Sequence, residues 1–237
     1  MKCIHAQFTL LLAFFFCSFI QLSAQHSLGV RTGVHFADVS VPNLEVLSDI
    51  ISPPRTNSGG QFGILMNFPI SDRTSIQTEL SYIQKGFRVS DAVFDQLFRE
   101  NFTNDLGIDA KTTFHYLEFS PLLKVKLGEN RFTPYFAFAP YVGYAMSGNI
   151  KEEVNIIINI TLNQTDINLQ KEIYNRLDIG AMGGFGLQLD FKSGFAFTDL
   201  MFGYSFVDFV DNPEVQLTMR NLGVRWGIGI AFFLKKK

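Results

Sequence analysis

The chain has 237 residues, with 20 basic and 22 acidic side chains and a formal net charge of −2. This balance lacks the strong positive charge of nucleic-acid-binding proteins, so no nucleic-acid partner is expected. Hydrophobic residues make up 47% and aromatic residues 14% of the chain, which suits one large all-β domain, and no Pro/Ser-rich linker divides it.

The N-terminal segment has the pattern of a secretory signal peptide. Lys2 precedes an apolar stretch at residues 8–20, and a cleavage site follows at Ala24. The stretch is too short for a membrane-spanning helix. We therefore predict a signal peptide at 1–24 and a mature domain at 25–237. Because Cys3 and Cys17 both lie in the leader, the mature chain has no thiol for catalysis, disulfides or metal binding.

Eight later segments alternate large apolar residues with small or charged ones. Within residues 176–191, for example, Phe185 and Leu187 share one phase, and Gly184 and Gly186 share the other. Successive side chains of a strand point to opposite faces, so each segment predicts a strand with one apolar face. The predicted strands are 27–36, 60–70, 75–88, 112–127, 132–147, 176–191, 195–206 and 217–234.

The connections between these strands alternate in length. Residues 37–59, 89–111 and 148–175 are long connections, 207–216 is a shorter one, and tight turns are predicted at 71–74, 128–131 and 192–194. Outer-membrane barrels combine long extracellular loops with short periplasmic turns. The sequence therefore predicts an all-β fold, an eight-stranded antiparallel up-and-down transmembrane β-barrel with three long and one shorter extracellular loop.

A soluble barrel of the lipocalin type is the structural alternative, with its large apolar residues facing inward. The lumen of eight strands is too narrow for the large side chains of all the apolar phases, whereas the opposite phase is rich in Gly and Ala. The apolar phase is therefore predicted to face lipid. It includes Trp226, which we expect at the headgroup level, where tryptophan collects in membrane proteins.

The opposite phase carries polar and charged residues that would face the lumen. These candidates are Arg31, Gln77, Glu79, Lys85, Glu118, Lys124, Lys126, Asp178, Asp190, Asp199 and Arg225. Because isolated buried charges are costly, we expect a paired polar network that fills the lumen, with Glu79 bound to Lys124 or Lys126. A narrow porin-like channel lined by the same groups is the alternative.

Several stretches carry a resemblance to a known family. They are 28–36 (LGVRTGVHF), 68–72 (FPISD), 79–86 (ELSYIQKG), 116–124 (YLEFSPLLK), Pro134 with Tyr135, 178–180 (DIG) and the Gly-rich last strand. In these stretches the mature chain resembles the PorT-like, or porin-family-type, outer-membrane β-barrel domain family of Gram-negative bacteria. The resemblance implies the fold and the outer-membrane location. One member type is linked to the protein-secretion apparatus, but the family has no single shared activity.

A small lipid-modifying hydrolase is an alternative function. His35 and His115 lie at the predicted extracellular ends of strands, where Glu118 or Ser120 could join them. The chain has no His-x-Ser pattern, no Gly-x-Ser-x-Gly elbow and no calcium-loop spacing, so we predict no catalysis, cofactor or metal site.

The sequence thus favours a monomeric, non-catalytic barrel in the cell outer membrane, reached by export behind the leader. Outer-membrane lipid is its expected partner. Its loops would present a surface for interaction, or the barrel would join an envelope or secretion complex.

Overall fold

The computed structural model describes residues 26–40, 55–90, 109–155, 159–167, 169, 174–212 and 217–234. The predicted signal peptide at 1–24 lies outside these residues. None of the described residues forms a helix that is long and apolar enough to cross a membrane.

The described chain forms antiparallel strands, most of which pair with their neighbours in the sequence. The strands are β1 (Ser27–Ser40), β2 (Arg55–Pro69), β3 (Thr74–Ser90), β4 (Asp109–Lys126), β5 (Phe132–Asn155), β6 (Asn159–Asp166), β7 (Leu177–Phe191), β8 (Gly194–Asn212) and β9 (Leu217–Phe233).

Eight of these strands close into a ring. β1 pairs with both β2 and β9, and β4 pairs with β5, which completes the circle. All pairings are antiparallel, and successive barrel strands are neighbours. The predicted eight-stranded up-and-down barrel is confirmed.

The two ends of the barrel differ. We call the end with the short connections at 70–73, 127–131 and 192–193 the turn end, and the opposite one the loop end. At the loop end the strands extend further than predicted: β1 continues to Ser40, β3 to Ser90 and β8 to Asn212.

The connection predicted at 148–175 contains further strand structure. The loop-end half of β5 continues to Asn155 and pairs with β6, outside the closed ring. The long connection predicted at 148–175 is therefore present, and it contains a hairpin that the sequence did not predict. Residues 154–162 are rich in Ile, Val and Thr, which favour strands because branched side chains fit a pleated surface.

Side chains alternate between the exterior and the interior as the sequence predicted. In β5, Phe136 and Phe138 are 56% and 57% exposed, whereas Tyr135 and Ala137 between them are 2% and 5% exposed. Outward apolar residues recur in every barrel strand and form a continuous band. This arrangement excludes the soluble barrel, in which the large apolar residues would face inward.

Trp226 faces outward but does not lie at the edge of the apolar band. It pairs with Val34 on β1 and Leu200 on β8, and Val224 and Leu222 continue the band beyond it towards the loop end. Its indole Nε1 donates a hydrogen bond to Thr198 Oγ1 at 3.2 Å. The expected headgroup position was wrong, and the Thr198 hydroxyl explains how a polar indole N–H fits within an apolar band.

Candidate functional site in the barrel lumen

An ionic layer occupies the half of the lumen nearer the turn end. Arg31 Nη1 donates to both carboxylate oxygens of Glu79 at 2.8 Å, and Arg31 Nη2 donates to Asp199. Tyr135 donates its hydroxyl proton to the other oxygen of Asp199 at 2.8 Å, and Gln77 Nε2 donates to Glu79 at 2.6 Å. All five side chains are buried, so one guanidinium holds two carboxylates that approach from different strands.

Lys124 belongs to the same layer but is held differently. Its Nζ lies 4.0 Å from the ring centroid of Tyr135 and 4.9 Å from those of Phe195 and Phe197, and it has no hydrogen-bond partner. Contacts of this kind are cation–π interactions. Lys124 and Arg31 together balance the charges of Glu79 and Asp199, so the layer, which we call the turn-side layer, has no net charge.

A second ionic layer lies nearer the loop end. Arg225 donates two hydrogen bonds to Glu118, at 2.6 and 2.9 Å. Lys85 Nζ donates to Glu118 at 2.8 Å and to Asp178 at 2.7 Å, and Asn221 Nδ2 donates to Asp178 at 3.0 Å. This loop-side layer again contains two cations and two anions, so the charges of each layer are compensated at its own height.

The two remaining lumen candidates, Lys126 and Asp190, lie at the turn-end mouth. Lys126 Nζ binds Asp190 at 3.0 Å, and both side chains are partly exposed to solvent. Gln188 Nε2 donates to the other oxygen of Asp190 at 2.5 Å. The pair borders an open cavity of about 310 Å³, whose wall also includes Asn67 and Phe195.

The predicted partner of Glu79 was wrong. Glu79 binds Arg31, while Lys126 binds Asp190 and Lys124 lies against aromatic rings. Arg31 reaches Glu79 because the residue opposite Arg31 on β2 is Gly63, which has no side chain. Glu79 on β3 therefore binds a cation two strands away, on β1, and not a lysine of the adjacent β4.

Tyrosine rings complete both layers, although no tyrosine was among the predicted lumen residues. Tyr116 and Tyr141 lie within 5.0 Å of Lys85 Nζ, and Tyr135 lies against Lys124. These tyrosines share the phase of Glu118 and of the small residues Ala137 and Ala139. That phase was the available signal, because an aromatic residue among small inward residues has to lie inside the barrel.

An apolar cluster fills the lumen on the loop-end side of the two layers. This loop-end cluster comprises Val39, Ile83, Phe87, Phe114, Tyr116, Ala145, Ile150, Leu169, Phe209, Val210 and Met219. Six barrel strands contribute to it, so it extends across the lumen. Phe114 and Phe209 meet edge to face with centroids 5.5 Å apart, and Tyr174 packs on Phe114 from the segment that follows β6.

The two histidines proposed for a hydrolase point to opposite sides of the wall. His35 is buried inside, and its Nδ1 lies 3.1 Å from the carbonyl oxygen of Gln84. His115 faces outward and contacts the Tyr82 hydroxyl at 2.5 Å and the Asn149 amide at 2.9 Å. Ser120 and Glu118 are buried inside, so the described chain brings none of these groups together as a nucleophile, base and acid.

Potential metal ligands are also dispersed. Within the ranges that the structure describes, no group of three or more His, Cys, Asp or Glu side chains could hold a metal ion.

The different surroundings of the two turn-side cations predict different responses to neutral substitution. Lys124→Met keeps the apolar stem but removes an ammonium that contacts aromatic rings and offsets one carboxylate charge, so we expect the free energy of unfolding to fall by about 1–2 kcal/mol. Arg31→Met leaves two buried carboxylates facing each other and should cost about 3–5 kcal/mol. Urea unfolding in lipid vesicles measures both. Equal losses would contradict the cation–π description of Lys124.

Comparison with known proteins agrees with this architecture. A family model described as an outer membrane protein beta-barrel domain matches residues 21–211. No curated protein matches the chain in sequence.

Several solved structures match the chain at low sequence identity. OprG from Pseudomonas aeruginosa is 12% identical, with 89% of this chain and 97% of that chain covered and a TM-score of 0.44. Neisserial surface protein A is 9% identical, with coverages of 86% and 96% and a TM-score of 0.39. Ail of Yersinia pestis is 12% identical, with coverages of 87% and 99% and a TM-score of 0.38. On the family match, the chain belongs to the outer membrane protein β-barrel domain family.

Proposed function

We propose that the protein is a sealed, non-catalytic barrel of the outer membrane that presents its loop end at the cell surface. The filled lumen supports this proposal most directly. Two charge-balanced layers and the loop-end cluster follow one another along the barrel axis, and every ion in the layers is fixed by a protein group. A solute would have to break these contacts in succession to pass.

The orientation follows from the lengths of the connections. In outer-membrane barrels the short turns lie in the periplasm and the long connections outside. With the turn end in the periplasm, the segments at 41–54, 91–108 and 213–216 and the β5–β6 hairpin are carried outside. A stable scaffold that holds long connections is a common basis for surface recognition.

Electrical measurement tests the sealed lumen. Purified protein inserted into planar lipid bilayers should give no conductance steps above the leak of the membrane, whereas an open porin inserted in the same way gives discrete steps. Because the apolar cluster and the ionic layers close the lumen independently, Phe114→Ala alone should also stay closed. Regular steps from the unmodified protein would overturn the proposal in favour of a narrow channel.

The absence of catalysis forms part of the same proposal. It is supported by the outward position of His115 and the inward positions of Ser120 and His35. Expression of the protein should leave the acyl chains of lipid A unchanged by mass spectrometry. Loss of acyl chains that His115→Ala abolishes would favour the hydrolase.

One observation favours a second role, as an accessory subunit of an envelope complex. The turn-end mouth holds the open cavity of about 310 Å³ beside Lys126 and Asp190, and it would face the periplasm. The resemblance of the sequence to PorT-like proteins, one type of which is linked to secretion, also supports this role. Crosslinking in native membranes should then recover a defined complex through Lys126, whereas a barrel recovered alone favours the surface role.

A further inference from the structure

A groove of about 520 Å³ lies in the outer wall of the barrel, towards the loop end of the apolar band. Four neighbouring strands, β2, β1, β9 and β8, form the groove. Its wall includes Phe36, Asp38, Thr56, Phe202, Leu222 and Val224. Because Phe36, Phe202 and Leu222 are exposed on the outer face, the groove opens towards lipid and not towards the lumen. An acyl chain is the group that meets the outer wall at this depth.

The groove ends where the first charges of the outer face begin. Beyond the apolar band these charges are Asp38 on β1, Arg220 on β9 and Asp208 on β8. Their chain neighbours are buried inside the barrel, namely Ala37, Val39, Met219, Asn221 and Phe209. Side chains alternate along a strand, so the three charged side chains point away from the lumen. They mark the level at which lipid headgroups replace acyl chains.

The charges at this level are not balanced. Arg220 Nε donates to Asp208 Oδ1 at 2.7 Å, so these two residues compensate each other. Asp38 accepts hydrogen bonds only from neutral donors, the backbone N–H of Val39 at 2.8 Å and the hydroxyl of Thr56 at 3.3 Å. No cation in the described part of the chain forms an ion pair with Asp38. A carboxylate can accept about four hydrogen bonds, so Asp38 has capacity for a cationic donor.

The register places a phosphate-binding group close to Asp38. Asp38 lies opposite Leu222 and Ser40 lies opposite Arg220, so Asp38 and Arg220 are diagonal neighbours on β1 and β9. Such neighbours are about 7–8 Å apart, within reach of long side chains. The bond from Arg220 Nε to Asp208 leaves other guanidinium N–H groups for a phosphate. An ammonium and a phosphate joined by a short linker would therefore meet Asp38 and Arg220 together.

We propose that the groove binds a phospholipid whose headgroup carries a primary ammonium. One acyl chain lies along Phe36, Phe202 and Val224, the ammonium donates to Asp38, and the phosphate accepts from Arg220. A phospholipid with a glycerol headgroup has the same chains and phosphate, but it has no ammonium and keeps a net negative charge, which Asp38 repels. The site lies on the outer wall, so it goes beyond the proposed function and does not depend on whether the lumen conducts.

Competition between two lipids tests the role of Asp38. The purified protein in detergent micelles receives equal amounts of phosphatidylethanolamine and phosphatidylglycerol with identical acyl chains, and native mass spectrometry measures the bound lipids. The unmodified protein should retain phosphatidylethanolamine about fivefold over phosphatidylglycerol. Asp38→Asn keeps the shape of the side chain and should bring this ratio close to one. Asp72→Asn removes the same charge from an exposed position at the turn end and should leave the ratio unchanged.

Filling the groove tests its contact with the acyl chain. Val224→Trp places a large side chain in the groove and should reduce the retention of both lipids about fivefold. Val142→Trp is the matched control, because Val142 also faces lipid but lies on β5, away from the groove. Heat-modifiable migration on a gel verifies that both variants fold.

Three results would overturn the proposal. The first is equal retention of the two lipids by the unmodified protein. The second is a preference for phosphatidylethanolamine that survives Asp38→Asn, since the ammonium would then lie elsewhere. The third is equal retention by Val224→Trp and Val142→Trp, since the lipid would then cover the whole wall without using the groove. A conducting lumen in the bilayer experiment would contradict the proposed function and leave these results unaffected.

Discussion

Glu118→Gln is expected to lower the free energy of unfolding by about 3–5 kcal/mol, because it removes the anion that two buried cations share. Arg225 makes both of its carboxylate hydrogen bonds to Glu118, at 2.6 and 2.9 Å, and Lys85 makes one at 2.8 Å. Lys85 keeps Asp178 after the substitution. Arg225 keeps no carboxylate among the described residues, so its charge stays buried without compensation.

Urea unfolding in lipid vesicles measures this loss. Glu129→Gln is the matched control, since Glu129 also binds an arginine, Arg73 at 2.8 Å, but both side chains are more than half exposed. Exposed pairs contribute about 0–1 kcal/mol, so the control should unfold at nearly the same urea concentration as the unmodified protein. Similar midpoints for the two variants would show that the lumen is well hydrated and that the ion pairs contribute little.

A double-mutant cycle separates the pair from its surroundings. Arg225→Met added to Glu118→Gln removes the uncompensated charge and should recover part of the lost stability. Recovery would show that the loss of stability comes from the buried Arg225 guanidinium, which has no carboxylate partner in the Glu118→Gln variant. Simple addition of the two losses would point instead to packing.

Gly186→Ala should destabilise the barrel by about 3 kcal/mol, because no space exists for a side chain there. A Cβ at Gly186 would lie 2.5 Å from the carbonyl oxygen of Thr198 and 2.5 Å from Cζ of Tyr135. Thr198 belongs to the adjacent β8, and its carbonyl group cannot move without disturbing the ladder between β7 and β8. Tyr135 cannot move without losing its hydrogen bond to Asp199.

Gly203→Ala is the control for this substitution. Gly203 lies on β8, and a Cβ there would meet only Met182 Cβ, at the ordinary contact distance of 3.8 Å. Samples are heated to increasing temperatures before electrophoresis. The temperature at which the band of the folded protein disappears should fall for Gly186→Ala and stay nearly constant for Gly203→Ala. Equal tolerance of both substitutions would mean that Tyr135 is free to leave the lumen.

Strand number and facing could be predicted from the sequence because both follow from a period of two in one residue property. The side chains of Phe136 and Phe138 face lipid and that of Ala137 faces the lumen, whichever strands lie beside β5. Ion pairing could not be predicted in the same way, because it depends on register between strands and on side-chain reach. Arg31 reaches Glu79 across β2 because Gly63, opposite Arg31, has no side chain. The pattern of a single strand does not reveal which residues of the next strand lie opposite it.

The hairpin of β5 and β6 escaped prediction for a related reason. Residues 154–162 favour strand structure, but their polar and apolar residues do not alternate as those of a barrel wall do. β6 pairs with the part of β5 that continues to Asn155, so its structure depends on a neighbour that itself extends beyond the predicted strand.

Trp226 has a practical consequence for following assembly. It is the chain's single tryptophan, it faces outward, and it lies within the apolar band with Val224 and Ile228 on the same face. Its surroundings change from water to hydrocarbon when β9 enters the membrane. The fluorescence of the unlabelled protein therefore reports, from one defined depth, the entry of the last strand into the membrane.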